Sequence, residues 1–332
     1  MSRPFALLRS GFPFYMTLGM RRVTTNAMDI GFGKEGRIYV LTRGGLGTGL
    51  RVINWDDENL GTLGDGKFSW PSSLLVDSDE KLYISDEAKH NVTVLDKDGE
   101  LVAQWGEHGS EPGQLDRPAS IAFDLDGNIV VSDTQNNRIQ TFTRDGKYIS
   151  GFGEHGVDDG QFNMPWGICV DETGAVYVAD WRNDRVQKFT ANGDHELTFG
   201  RSGSGAGEFN RPSAVAVDGH GDIYVSDWGN NRVELFNSEG KFVEELVGEA
   251  NLSQSGLKYI QANPQVLRLR DMTELGRMKR LRAPLGLHVD EEFRLFVCDF
   301  GSHRIQVFKK EAYELSETEI APPLRNPIML TT

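Results

Sequence analysis

The sequence predicts an all-β protein: a six-bladed β-propeller of four-stranded antiparallel blades, with a short helical insertion before the last blade. Three observations predict it. Pro71, Pro118, Pro165, Pro212 and Pro284 each stand 15 residues ahead of an aspartate, namely Asp86, Asp133, Asp180, Asp227 and Asp299. The first four prolines are 47 residues apart; the last step is 72, which leaves 25 extra residues between Asp227 and Asp299. A chain of 332 residues with 38 glycines and 12 prolines suits many short strands joined by tight turns.

One copy of the unit, MPWGICVDETGAVYVADWRNDRVQKFTANGDHELTFG, runs from Met164 to Gly200. It reads as an apolar strand ending in Asp171, a turn at Gly174, and a second strand ending in Asp180. A third strand opens on Arg185, and a fourth closes on Gly200 after a turn at Gly193. Hairpin connections make these four strands one small antiparallel sheet. Self-similarity at a fixed period then makes the sheets a radial array, each burying its faces against its neighbours.

Taken in order, the chain opens on FYMTLG, residues 14–19, which resembles the outermost strands KYISGFG, HELTFG and KFVEELVG. The stretch at about 12–20 is therefore expected to complete the last blade and so remove two exposed sheet edges. The acidic segment AYELSETEI is the alternative closing strand, and Pro322, Pro323 and Pro327 suggest an extended finish to a tail spanning about 311–332. A degenerate first copy is AMDIGFGKEGRIYVLTRG, with Thr42 in place of the aspartate and Gly47 in place of the arginine; it is expected to be the most mobile blade. Four regular copies follow. The insertion falls within about 249–282, where Met272, Leu275, Met278 and Leu281 recur at spacings of three, which places a helix after Pro264. Arg268, Arg270, Arg277, Lys279, Arg280 and Arg282 make it basic, with either a solvated face or a docking or lid helix as its role. The last copy starts at Pro284, and the whole chain reads as one domain, 1–332.

The pattern P-x-x-(I/V)-x-x-D-x-x-G-x-(I/V)-Y-V-x-D-x-x-N-N-R-(I/V)-x-x-F resembles the NHL repeat. DRPASIAFDLDGNIVVSDTQNNRIQTF and NRPSAVAVDGHGDIYVSDWGNNRVELF match it almost throughout. The resemblance covers roughly residues 25 to 310. It implies the propeller but leaves scaffold, RNA-binding and metal-dependent lyase roles open. In the peptide-amidating lyases that it brings to mind, histidines near the start of innermost strands hold zinc. After each proline here stand Ser72, Ala119, Trp166, Ser213 and Leu285, none of them such a ligand.

A formal charge of −14 argues against nucleic acid and anionic membrane as partners. Cys169 and Cys298 fall in strands several blades apart, which argues against a disulfide and fits a reducing cytoplasm. The N-terminal apolar run is too short for a signal peptide, and no stretch reaches membrane length.

The aspartate and the arginine five residues on (Arg138, Arg185, Arg232, Arg304) recur in nearly every blade, so they are read as structural. The residues just after each aspartate share one face and vary: Arg43, Glu87, Thr134, Trp181, Trp228 and Phe300. With Trp166 they are expected at one channel mouth, as a binding surface or as plugs between blades. His90 and His303 stand four residues after their aspartates, where other blades carry Asn137, Asp184 and Asn231. His90, His303 and Asp184 are thus candidate ligands for a divalent cation, against the alternative that they are turn residues in left-handed geometry. His288 lies in an innermost strand among Leu75, Ala122, Cys169 and Ala216, and is the candidate catalytic residue. His108 and His155, in repeated GEHG loops, read as surface linkers, and Arg43 to Gly49 as a flexible hairpin rather than a phosphate loop. The leading expectation is a non-catalytic binding module that captures a protein or small molecule at the aromatic mouth; the alternative is a metal-assisted hydrolase or lyase working in the channel.

Overall fold

The computed structural model describes residues 6–20, 22–44, 47–263, 265 and 275–315. After β1 (Ala6–Gly11) and β2 (Phe14–Leu18), blade one holds β3 (Ala27–Phe32), β4 (Ile38–Thr42), β5 (Gly49–Ile53) and β6 (Asn59–Leu63). Blade two holds β7 (Pro71–Val76), β8 (Leu82–Asp86), β9 (Asn91–Leu95) and β10 (Leu101–Trp105). Blade three holds β11 (Pro118–Phe123), β12 (Ile129–Asp133), β13 (Arg138–Phe142) and β14 (Tyr148–Phe152). Blade four holds β15 (Pro165–Val170), β16 (Val176–Asp180), β17 (Arg185–Phe189) and β18 (His195–Phe199). Blade five holds β19 (Pro212–Val217), β20 (Ile223–Asp227), β21 (Arg232–Phe236) and β22 (Phe242–Leu246). The connection to blade six carries α1 (Gln254–Gln261) and α2 (Leu275–Lys279). Blade six holds β23 (Pro284–Val289), β24 (Arg294–Asp299) and β25 (Arg304–Lys309), and β26 (Glu311–Leu315) follows it.

The register places each proline opposite its aspartate, as Pro118 faces Asp133 and Pro165 faces Asp180, and each aspartate opposite the residue five on, an arginine except in blade two, where Asp86 faces Asn91. The turn between β4 and β5 is longer: Thr42 pairs with Gly49, so Gly49 rather than Gly47 takes the arginine position. Blade six is completed by β2, antiparallel to β25. The start of the acidic segment does not close it; β26 pairs with β1 in a separate two-stranded ribbon, with Ala6 opposite Leu315.

The apolar core is divided among the blade interfaces. Among the described residues there are six buried clusters, one at each junction. The linkers between blades feed them: Leu115, Phe162 and Phe209 are fully buried between consecutive blades. Burial of one such side chain contributes about 2–3 kcal/mol, so the linkers help the strands hold the ring together. Cys169 and Cys298 are free.

The insertion differs from expectation. The two-turn helix α1 precedes Pro264, capped by Ser253 Oγ accepting from the Gly256 amide at 3.2 Å. Of the expected helix only its end, α2 at Leu275–Lys279, lies within the described residues. Met272, Arg268, Arg270 and Pro264 lie outside them. No helix among the described residues is long and apolar enough to cross a membrane.

Candidate functional site

The repeated aspartates are fully buried and structural. Asp180 accepts the Asn163 amide at 2.7 Å and the Arg185 guanidinium at 2.9 Å, and Arg185 also donates to the carbonyls of Val157, Asp158 and Gln161 in the preceding linker. Arg138, Arg232 and Arg304 repeat the pairing with Asp133, Asp227 and Asp299 at 2.8–2.9 Å. Burial pushes the carboxyls of Asp133, Asp180 and Asp227 above their ordinary range, against the amides and arginines that pull them down. Blade one replaces the pair with Thr42 Oγ1 donating to the Gly49 carbonyl at 3.1 Å.

The residues four beyond each aspartate are latches between blades. His90, Asn137, Asp184, Asn231 and His303 all have left-handed backbones, with φ of 50–59°. Each accepts, through its side chain, the amide of the residue heading the next blade's first strand. Asn137 takes it from Met164 at 2.8 Å, Asp184 from Arg211 at 2.7 Å and Asn231 from Ala283 at 2.8 Å. His90 Nδ1 takes it from Arg117 and His303 Nδ1 from Asn26, both at 3.1 Å. Asn, Asp and His tolerate that backbone region and can accept a hydrogen bond, which explains the restriction to these three residue types. His90, His303 and Asp184 therefore do not converge on the channel; each sits in its own interface, as the turn reading has it.

The channel is a cavity of about 290 Å³ lined by the innermost strands. Its mouth takes Ser72, Ala119, Trp166, Ser213 and Leu285, and deeper lie Asp29, Ser73, Ser120, Cys169 and His288. Asp29, which escaped the sequence reading because it falls in the degenerate copy, accepts from Ser73 Oγ and from the Leu74 and Ile30 amides, each at 2.9 Å. Burial pushes its pKa up to about 6. His288 lies against Phe32 and Phe296, with ring centroids at 4.9 and 6.3 Å. Burial pulls its pKa down to about 4, so the imidazole is neutral near pH 7. Burial likewise drives the thiol of Cys169, in blade four, up to about 12, leaving it protonated and unreactive.

The aromatic mouth is assembled unevenly. Trp166 and Trp181 touch, with centroids 5.5 Å apart, and the Arg211 guanidinium lies 4.5 Å over Trp181. Phe300, from blade six, packs against the cluster between blades one and two, as a plug. Trp228 is 38% exposed. Glu87 is buried and holds two arginines: Arg43 at 2.8 Å and Arg117 at 3.0 Å, with Ser72 Oγ donating at 2.9 Å. Both guanidiniums lie over Trp70, at 5.2 and 5.1 Å, and Trp70 is 46% exposed. Trp70, Arg117 and Arg211 were not picked out from sequence. They stand just before the innermost strands, a position whose left-handed φ in Arg117 and Arg211 aims side chains at the rim.

The NHL repeat family model matches residues 115–142, 162–189 and 209–236. The RING finger protein nhl-1 of Caenorhabditis elegans is 40% identical over 52 residues, 16% of this chain and 5% of that protein. The chain thus spans about a twentieth of the curated relative. Among solved structures, virginiamycin B lyase from Staphylococcus aureus, determined as an inactive variant with quinupristin, is similar over 90% of this chain and 99% of its own, at TM-score 0.60 and 16% identity. A gluconolactonase from Xanthomonas campestris is similar over 92% of this chain and 100% of its own, at TM-score 0.60 and 13% identity. At those identities the likeness is one of fold. The chain is thus a six-bladed β-propeller in which three stretches match the NHL repeat.

Proposed function

We propose that this propeller is a non-catalytic binding module whose mouth captures an acidic segment of a protein partner. The observation that carries the reading is the arginine–tryptophan rim: Trp70 flanked by Arg43 and Arg117, and Trp181 covered by Arg211. Buried Glu87 fixes two of these guanidiniums over the Trp70 ring, so little side-chain entropy remains to be lost on binding. A cationic, aromatic rim on a protein of charge −14 favours a carboxylate-rich partner over other parts of its own surface. The test titrates the tryptophan fluorescence with short peptides of varied charge. Acidic peptides are expected to bind, and Trp181→Ala, Trp228→Ala or Arg211→Ala to weaken them about tenfold. Unchanged thermal melts are expected for these variants. Equal binding of basic and acidic peptides, or affinities untouched by the variants, would sink the reading.

The alternative, a metal-assisted hydrolase or lyase in the channel, has the fold of two enzymes in its favour. Its weak point is the donor set. His288 faces phenyl rings, and Asp29 spends its oxygens on Ser73, Leu74 and Ile30.

A further inference from the structure

We propose that the junction of blades two and three holds a divalent transition metal of the zinc class, bound by His90, His108 and Asp116. His90 Nδ1 and His108 Nε2 approach the same oxygen, Asp116 Oδ1, at 3.2 and 3.6 Å. One ligand atom from each residue lies within 4.8 Å of the others, and the two imidazoles are 4.1 Å apart between centroids. Ligands about 2.0–2.1 Å from a tetrahedral zinc are separated by roughly 3.3–3.4 Å along each edge, close to the two measured spacings.

The electrostatics need a cation. His90 Nδ1 accepts the Arg117 amide at 3.1 Å, so its lone pair is in place and that nitrogen carries no proton to share with Asp116. Lone pairs of a neutral imidazole and a carboxylate thus face each other across 3.2 Å. Nδ1 has a single lone pair, so an ion among the three atoms takes it in place of the Arg117 amide hydrogen and converts the repulsion into ligation, and His108, at 64% side-chain exposure, can close on it.

The repeat supplies internal controls. At the next two junctions the equivalent positions hold Asn137, His155 and Asn163, then Asp184, Ser202 and Asn210. All three ligand types meet only between blades two and three among these junctions. His303 makes the same amide latch with Asn26, yet carries Thr25 where Asp116 would stand. Three protein ligands leave a coordination position for water or for a donor atom from a partner, which makes the site open rather than closed.

Substitutions the protein already uses elsewhere test this without threatening the fold. His90→Asn restores the latch of Asn137, Asp116→Asn copies Asn163, and His108→Ser copies Ser202. Chelator-stripped protein titrated with zinc chloride by calorimetry is expected to bind one ion, and each substitution to weaken it about tenfold or more. Cobalt(II) should give the visible absorption of four-coordinate N/O ligation in the parent protein and lose it in all three variants. His155→Ala is expected to leave both readings unchanged. No stoichiometric zinc binding by the parent, or binding that survives all three substitutions, would overturn the proposal.

Discussion

Seven residues beyond three of the repeated aspartates, a buried amide stitches strand to linker. Gln140, Gln187 and Gln306 donate through Nε2 to Asp133, Asp180 and Asp299 at 3.0, 3.3 and 2.9 Å, and to linker carbonyls as well. Blade five has Glu234 there, whose Oε2 is buried without a hydrogen-bond partner and which lacks the donor its neighbours use. Burial pushes its pKa up to about 7 despite Arg232 at 3.1 Å. With the folded pKa above the unfolded one, its contribution is full below about pH 4.5 and is lost as pH rises through 7. Glu234→Gln is therefore expected to stabilise the protein by about 1–3 kcal/mol at pH 8 and to do little at pH 4.5, read from urea melts at both pH values. The aspartate–arginine pairs were legible in the sequence because recurrence marks a need common to every blade. Asp29 and Trp70 were not, because each is the odd member of its set of equivalent positions. Nor did the sequence show that Glu87, chosen for the rim, would be buried beneath two arginines.

At the scale of elements, the insertion is held by one turn of a distant blade. Asp57, buried between β5 and β6, accepts the Gly19 amide at 2.6 Å and the Ser255 amide at 2.8 Å, and the Ser255 hydroxyl also donates to it. Arg22 adds a cation–π contact to Tyr259 at 4.8 Å. Helix α1 thus ties blade one to the end of the closing strand β2. Asp57→Ala, which strands these donors, is expected to cost about 2–4 kcal/mol and to speed amide exchange in α1 and at Gly19 before the rest of the ring. The strands and turns were legible from the 47-residue period, but α1 was not. It is two turns long and buries a single large apolar side chain, Ile260, while Leu257 stays about half exposed, so tertiary hydrogen bonds to Asp57 share in holding it in place.

For the whole molecule, closure comes from the chain's first strands. While β2 completes blade six, β1 and β26 form a ribbon fastened to blade five. Lys310, fully buried, pairs with Asp218 at 2.6 Å and Asp222 at 2.7 Å, and Arg9 pairs with Asp222. Burial alone would raise the Asp222 carboxyl, but Arg9 and Lys310 outweigh it and hold it below its ordinary range. That stability is present above the unfolded pKa and is lost as pH falls through the folded one. Lys310→Met leaves two buried carboxylates facing each other and is expected to lower stability by about 3–5 kcal/mol, measured by thermal melt at pH 7. The count of blades and the order of their strands followed from spacing alone. The ribbon did not, because charges from three separate stretches of chain assemble its anchor.

The ribbon also has a mechanical meaning. Ala6 lies directly opposite Leu315, so the open end of the ribbon presents both of its strands at a single corner of the disc. Tension applied across Ala6 and Leu315 would peel two paired strands apart like a zip and load the Arg9 and Lys310 anchor on blade five, and then blade six. Blades one to four would be spared until that seam had opened.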